Sequence, residues 1–199
     1  MSSFAGHTLA AAVAFALGPR PPRATKRALW LGWLVAMALA PDVDYAIRAL
    51  DLGPDRRLRI THSLALCLLL PTLGAAASWA AGRRGRALAT RSVQAAAAGL
   101  SHLALDLLVG VTALPLLWPA TERRFRLPWG LLPSAGRLDL HNPLFYRNLL
   151  IELGVLSPLA AVLVVAFGPK RPSAAGAGTI AALLAISAAF AAWSATLPR

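Results

Sequence analysis

Leu100-Ser101-His102-Leu103-Ala104-Leu105-Asp106 lies within an apolar run from Val93 to Trp118 that contains no other ionisable residue. His102 and Asp106 are four positions apart, so on a helix they project from one face about a turn from each other. An ionisable pair inside a membrane-length apolar segment is costly and reads by default as a functional site. The plainer alternative is a buried ion pair that only staples the helix. The rest of the chain decides between them, because it supplies more groups of the same kind.

The chain has 199 residues, 57% of them hydrophobic, with a mean hydropathy of +0.60. Soluble domains rarely exceed about half apolar residues. Several runs approach the ~20 residues that cross a bilayer, so the composition predicts an integral membrane protein. The formal net charge of +12 invites a nucleic-acid reading. However, the basic residues stand in short loops between apolar runs, which is how charge flanks membrane helices. No nucleic-acid partner is expected. Acids number only eight, so each position is informative. The single Cys67 excludes an internal disulfide and reads as a small packing residue.

Six apolar runs follow in order. Phe4–Leu17 is short and contains His7. It lacks the basic start and the cleavage site of a signal peptide, and so reads as a retained first helix. A basic, proline-stiffened loop at 20–27 leads to the run Ala28–Ala40, which ends in Pro41-Asp42-Val43-Asp44-Tyr45. After a charge-mixed stretch to Arg59, Thr61-His62-Ser63 opens a third run to about Ala81, with Thr61 or Ser63 as the expected N-cap. A second basic loop (Arg83, Arg84, Arg86, Arg91) precedes the anchor run. Residues 119–148 read as a structured loop near the membrane surface. The last two runs are Leu149–Phe167, with Glu152 near its start, and Gly178–Leu197. The expectation is one all-α polytopic bundle of about six helices, the first two short. Its site would occupy residues of about 5–130, followed by C-terminal helices at 146–197.

With six spans and both ends on one side, the loops at 20–27, 83–91 and 170–171 share a face and carry no acid. Basic residues tie in number between the two faces. The first face packs them into short loops beside the spans, where the positive-inside rule acts, and is read as cytoplasmic. His7, Asp42, Asp44 and His62 then fall at the opposite face, and Asp106 leans toward it with His102 one turn deeper. Imidazole and carboxylate ligands suit zinc, manganese or iron, and this set would hold one or two divalent ions. Such ions clamp phosphoryl or acyl oxygens and generate a nucleophile from water at neutral pH.

Each residue alone has a plainer reading. Asp42 and Asp44 could cap or charge a helix start, His62 could be an interfacial side chain, and Glu152 could snorkel from a helix end. Asp139 and His141 flank a turn at Asn142-Pro143 and read as structural. The joint pattern is stronger than any member, because polar groups recur at corresponding ends of successive helices.

Pro-Asp-Val-Asp at 41–44, Thr-His-Ser at 61–63 and Ser-His-Leu-Ala-Leu-Asp at 101–106, in this order after His7, resemble the YdjM-type membrane-bound metal-dependent hydrolases of bacteria. That family shows an early His, then Pro-Asp-x-Asp, Arg-x-x-Thr-His-Ser and Ser-His-x-x-x-Asp elements, followed by a Pro and an Arg-Arg-aromatic stretch similar to Pro119 and Arg123-Arg124-Phe125. The one departure is Arg59, which stands two rather than three positions before Thr61. The resemblance implies a multi-pass inner-membrane hydrolase with metal ligands at His7, Asp42, Asp44, His62, His102 and Asp106.

Within that set Asp42, His102 and Asp106 are expected to carry the chemistry, on a divalent ion, zinc or manganese first. Glu152, Arg59, Arg123 and Arg124 are possible additions to the site. A membrane-embedded site suggests membrane lipid as its surroundings and an amphiphilic or phosphorylated substrate, whose anionic head group Arg59 or Arg123/Arg124 would hold. Two other classes remain open: an ion-coupled or metal transporter, and a non-catalytic membrane scaffold with a structural metal.

Overall fold

The structure is a computed structural model, described here for residues 2–19, 21–45, 51–52, 58–128, 130–135, 139–168 and 174–197. Parts of the charged loops read above, including Arg20, Arg48, Arg56, Arg57, Arg137, Lys170 and Arg171, lie outside the described residues.

Six α-helices make up the fold: α1 (Phe4–Leu17), α2 (Ala24–Leu39), α3 (Leu64–Ala80), α4 (Gly85–Val109), α5 (Pro143–Phe167) and α6 (Ala174–Ala195). A 3-10 helix at Ala40–Tyr45 extends α2, and another at Ile60–His62 leads into α3. The two-residue strands β1 (Asp51–Leu52) and β2 (Leu58–Arg59) pair antiparallel between them. The expected all-α single domain is what forms.

Local chemistry sets the helix ends. Ser3 caps α1 by accepting from the Gly6 amide (3.0 Å), Ser63 caps α3 through Leu66, and Asn142 caps α5 ahead of Pro143 at its first turn. These are the side chains that satisfy the orphan amides of a helix start. The apolar run Val93–Trp118 is not one helix, however. It crosses the end of α4 at Gly110, a left-handed C-cap with φ 65°. A Cβ at Gly110 would also meet the Gly130 Cα at 2.9 Å, so both backbone angle and space demand glycine. Helix α4 starts earlier than expected too, at Gly85 rather than after Arg91, and its end at Val109 puts Asp106 three residues from the terminus.

The bundle is organised on α4, which packs against α1, α2 and α3; α1 also packs on α2 and α5, and α6 packs on α5. Small residues let these helices approach closely: Ala11, Ala38, Ala95 and Ala98 interleave with Leu34 and Met37 where α1, α2 and α4 meet. At the α3–α4 contact, Pro71 cannot donate to the Cys67 carbonyl one turn back. Gly99 packs against that carbonyl so closely that a Cβ would sit 2.6 Å from it.

Helices α4, α5 and α6 are long and apolar enough to cross a membrane, and α1 and α3 are shorter apolar helices. Many large apolar side chains of the helices face outward, among them Leu69, Leu73, Val93, Leu163, Phe167 and Ile186. Such a surface is matched by lipid rather than water. It places the chain in a membrane.

Candidate functional site

α1 and α3 begin at the same end of the bundle where α2 and α4 finish, and the polar residues of the sequence pattern meet there. His7, His62 and His102 are fully buried, and Asp42, Asp44 and Asp106 nearly so. His102 lies at the centre. Its ring stacks on His7 (centroids 3.9 Å apart, planes within 11°), and its Nε2 faces His62 Nε2 at 3.1 Å. His102 Nδ1 lies 2.7 Å from the Ala38 carbonyl. A carbonyl can only accept, so Nδ1 carries the proton and Nε2 turns a lone pair inward.

Asp106 reaches the same centre from one turn along α4. Its Oδ1 accepts from the Ser2 amide (2.8 Å) and lies 3.7 Å from His7 Nε2. Oδ2 stands 3.5 Å from His62 Nε2 and 3.6 Å from His102 Nε2, with no hydrogen-bond partner among the described residues. Both nitrogens of His7 are likewise unpaired. Asp42 closes the other side, with Oδ1 3.6 Å from His62 Nε2 and 3.7 Å from His102 Nε2. Two groups of ligand atoms result, His7–His102–Asp106 and Asp42–His62–His102, each contained within 4.8 Å and sharing His102. Either could hold a metal ion.

Asp44 is in neither group. Its carboxylate accepts from Arg59 through Nε (2.5 Å) and Nη2 (2.7 Å), while Oδ2 lies 3.6 Å from His62 Nδ1. Thr61 Oγ1 stands 3.0 Å from that same nitrogen. Asp44 and Thr61 thus orient His62 from behind, the arrangement by which outer carboxylates fix ligand imidazoles. Arg59 also reaches Asp42 Oδ1 at 3.4 Å, and its guanidinium covers the Tyr45 ring at 4.6 Å. Burial works against the Arg59 charge, yet the Asp44 hydrogen bonds carry its pKa above the ordinary value. Burial likewise opposes ionisation of Asp42, but the His62 ring and the nearby imidazoles hold its pKa below the usual carboxylate range.

Glu152 is fully buried one layer further out. It accepts from the Ser2 hydroxyl and from the Ser3 amide (2.9 Å) and hydroxyl (3.1 Å), fastening the start of α1 to α5. Ser2 therefore links Glu152 to Asp106. Nothing in the sequence pattern marked Ser2 or Ser3, since neither belongs to a periodic or ligand-rich segment. Arg123 and Arg124 are exposed, and Arg123 covers the Phe125 ring at 5.5 Å instead of joining the cluster. Asp139 and His141 are exposed at the turn before α5, as read.

An all-α membrane protein with a buried His/Asp cluster at one bundle end is the class these features define. The chain matches the model of the YdjM inner membrane protein family over residues 1–197, and it belongs to that family. No curated protein and no solved structure matches it.

Proposed function

We propose that this chain is a multi-pass inner-membrane hydrolase that works with a divalent metal ion, zinc or manganese, on a phosphoester or lipid-linked substrate. One observation supports the reading above others: the buried His7 nitrogens and Asp106 Oδ2 have no hydrogen-bond partner among the described residues, and they converge with Asp42, His62 and His102 on ligand groups no more than 4.8 Å across. Asp42 Oδ1 and Asp106 Oδ2 lie 3.5–3.7 Å from the His62 and His102 nitrogens. That spacing is long for a hydrogen bond. It fits ligands about 2.0–2.2 Å from one ion, which tetrahedral geometry sets roughly 3.4 Å apart. Buried lone pairs facing each other without a cation would be costly.

A divalent ion held there would polarise a phosphoryl or acyl oxygen and lower the pKa of water. The chain's own residues set the frame. Ala38 and Asp44 aim His102 and His62, Ser2 aims Asp106, and Arg59 neutralises Asp44 and leans on Asp42. Arg59 thereby acts as a positioning residue for the cluster, through Asp44 and Asp42. Val43, Tyr45, Leu64 and Leu117 are exposed on segments around the cluster. An apolar rim around a polar centre suits an amphiphilic substrate.

Detergent-solubilised protein is expected to turn over generic phosphoesters slowly, with loss of activity in chelator and recovery when metal is restored. Metal flux across proteoliposomes with no hydrolysis of any ester tested would overturn the proposal in favour of a transporter.

A further inference from the structure

The opposite end of the bundle, where α2 and α4 begin and α3 ends, carries an open cavity of about 610 Å³. Lys26, Arg83, Arg84 and Arg91 line it, with Trp30 and Leu29, and no acid is among the lining residues. Lys26, Arg83 and Arg84 are exposed and Arg91 is half-buried, so together they give this space a positive potential that an anion would complement. The two helices that open here add to the field, since neither α2 nor α4 has an acid in its first turn or a side-chain cap on its free amides.

The floor is fixed rather than incidental. Trp30 Nε1 donates to Gln94 Oε1 (3.2 Å), and Gln94 Nε2 donates to the Ala14 carbonyl of α1 (2.7 Å). Arg91 stands over the Trp30 ring at 5.5 Å, and Arg84 over the Trp79 ring at 4.5 Å. Aromatic rings holding guanidinium groups are typical of the membrane–water interface. Leu29 at the cavity edge is 70% exposed, which continues the polar space into an apolar surface. A ligand with a phosphate at one end and acyl chains at the other matches both parts.

We propose that this cavity binds the phosphate-bearing head group of an anionic phospholipid, at the end of the bundle remote from the His/Asp cluster. The proposal is independent of any metal or hydrolysis. The other cations of this end, including Arg27 and Arg86, do not line the cavity, which separates a site from diffuse attraction to a charged surface.

The test is binding of fluorescent phosphatidylglycerol to the full chain in non-ionic detergent, with phosphatidylcholine as the zwitterionic comparison and millimolar inorganic phosphate as competitor. Phosphatidylglycerol is expected to bind in preference to phosphatidylcholine and to resist phosphate. Lys26→Ala, Arg83→Ala and Arg91→Ala should each weaken it about fivefold, in line with one cation near an anionic surface, and Arg91→Lys should retain it. Arg27→Ala and Arg86→Ala should leave it unchanged. Thermal unfolding identifies any variant that fails to fold, and Arg83→Gln then takes its place. Equal losses in the Arg27 and Arg86 variants, or equal binding of phosphatidylcholine, would overturn the site. Full displacement by millimolar phosphate would overturn the lipid assignment in favour of free phosphate.

Discussion

Arg59 grips Asp44 with two parallel hydrogen bonds, Nε to Oδ2 at 2.5 Å and Nη2 to Oδ1 at 2.7 Å, and so turns the second Asp of the Pro-Asp-Val-Asp element away from the cluster centre. The pair acts on the centre through His62, whose Nδ1 faces Asp44 Oδ2. Asp44→Asn and Arg59→Ala are therefore expected to weaken metal binding about 10–100-fold without abolishing it, the usual scale for outer-layer partners of a ligand. Arg59→Lys should not restore it, because an ammonium cannot reproduce the two-pronged geometry. Competition against a chelator of known affinity measures this. If Asp44→Asn removes binding as completely as Asp106→Asn, Asp44 is a direct ligand.

Direct ligands should behave differently. Purified protein is expected to carry about one divalent ion per chain or more, and His102→Ala or Asp106→Asn should strip it. Asp139→Asn should leave metal content unchanged, since Asp139 is exposed at the turn before α5, where its carboxylate accepts from the His141 amide nearby. Elemental analysis by plasma mass spectrometry is the readout. Metal-free wild-type protein that takes up no ion on reconstitution would remove the basis of the proposed chemistry.

The local half of this site was legible in the sequence and the tertiary half was not. His102 and Asp106 share a helix face by spacing alone, and an apolar run makes their polarity conspicuous. His7, Asp42 and His62 could be placed at one end by counting along successive helices. The Arg59–Asp44 grip spans 15 residues through the ribbon region, and no periodicity reports such a contact. Glu152 depended on two serines 149 and 150 positions away. The end of α4 at Gly110 was hidden because the apolar run continues through it to Trp118, and hydropathy does not register a left-handed backbone.

Glu152 gives a stability prediction. A Cβ on Gly6 would sit 2.3 Å from Glu152 Oε1 and 2.7 Å from Ser2 Oγ, so Gly6→Ala must push apart the contacts that fasten α1 to α5. A loss of about 1–3 kcal/mol is expected from such overpacking. Glu152→Ala leaves the buried Ser3 amide and two hydroxyls without their acceptor, at about 1–3 kcal/mol for each group left unsatisfied. Thermal unfolding in detergent should fall for both variants. Gly32→Ala, mid-helix in α2 where an added Cβ meets nothing within 4 Å, is the matched control and should unfold no lower than wild type, since Ala is the better helix former.

Orientation follows from where the helix ends carry charge. Helix α4 spans 25 residues, roughly 37 Å at ~1.5 Å per residue, against a hydrocarbon core of about 30 Å. Its Gly85 end lies among Arg83, Arg84 and Arg86, and its Val109 end lies beside the His/Asp cluster. Short loops rich in Arg and Lys stay in the cytoplasm, so the cluster is expected to open toward the periplasm or cell exterior. Leu117, exposed beside Leu116, whose carbonyl accepts from the Leu64 amide at the start of α3, probes the cluster side. In a Cys67→Ser background, Leu117→Cys should react with an impermeant thiol reagent in intact cells, permeabilised at any outer membrane. Arg86→Cys should react only after lysis. Labelling of position 86 and protection of position 117 would turn the cluster to the cytoplasm and place the four-cation cavity in the outer leaflet.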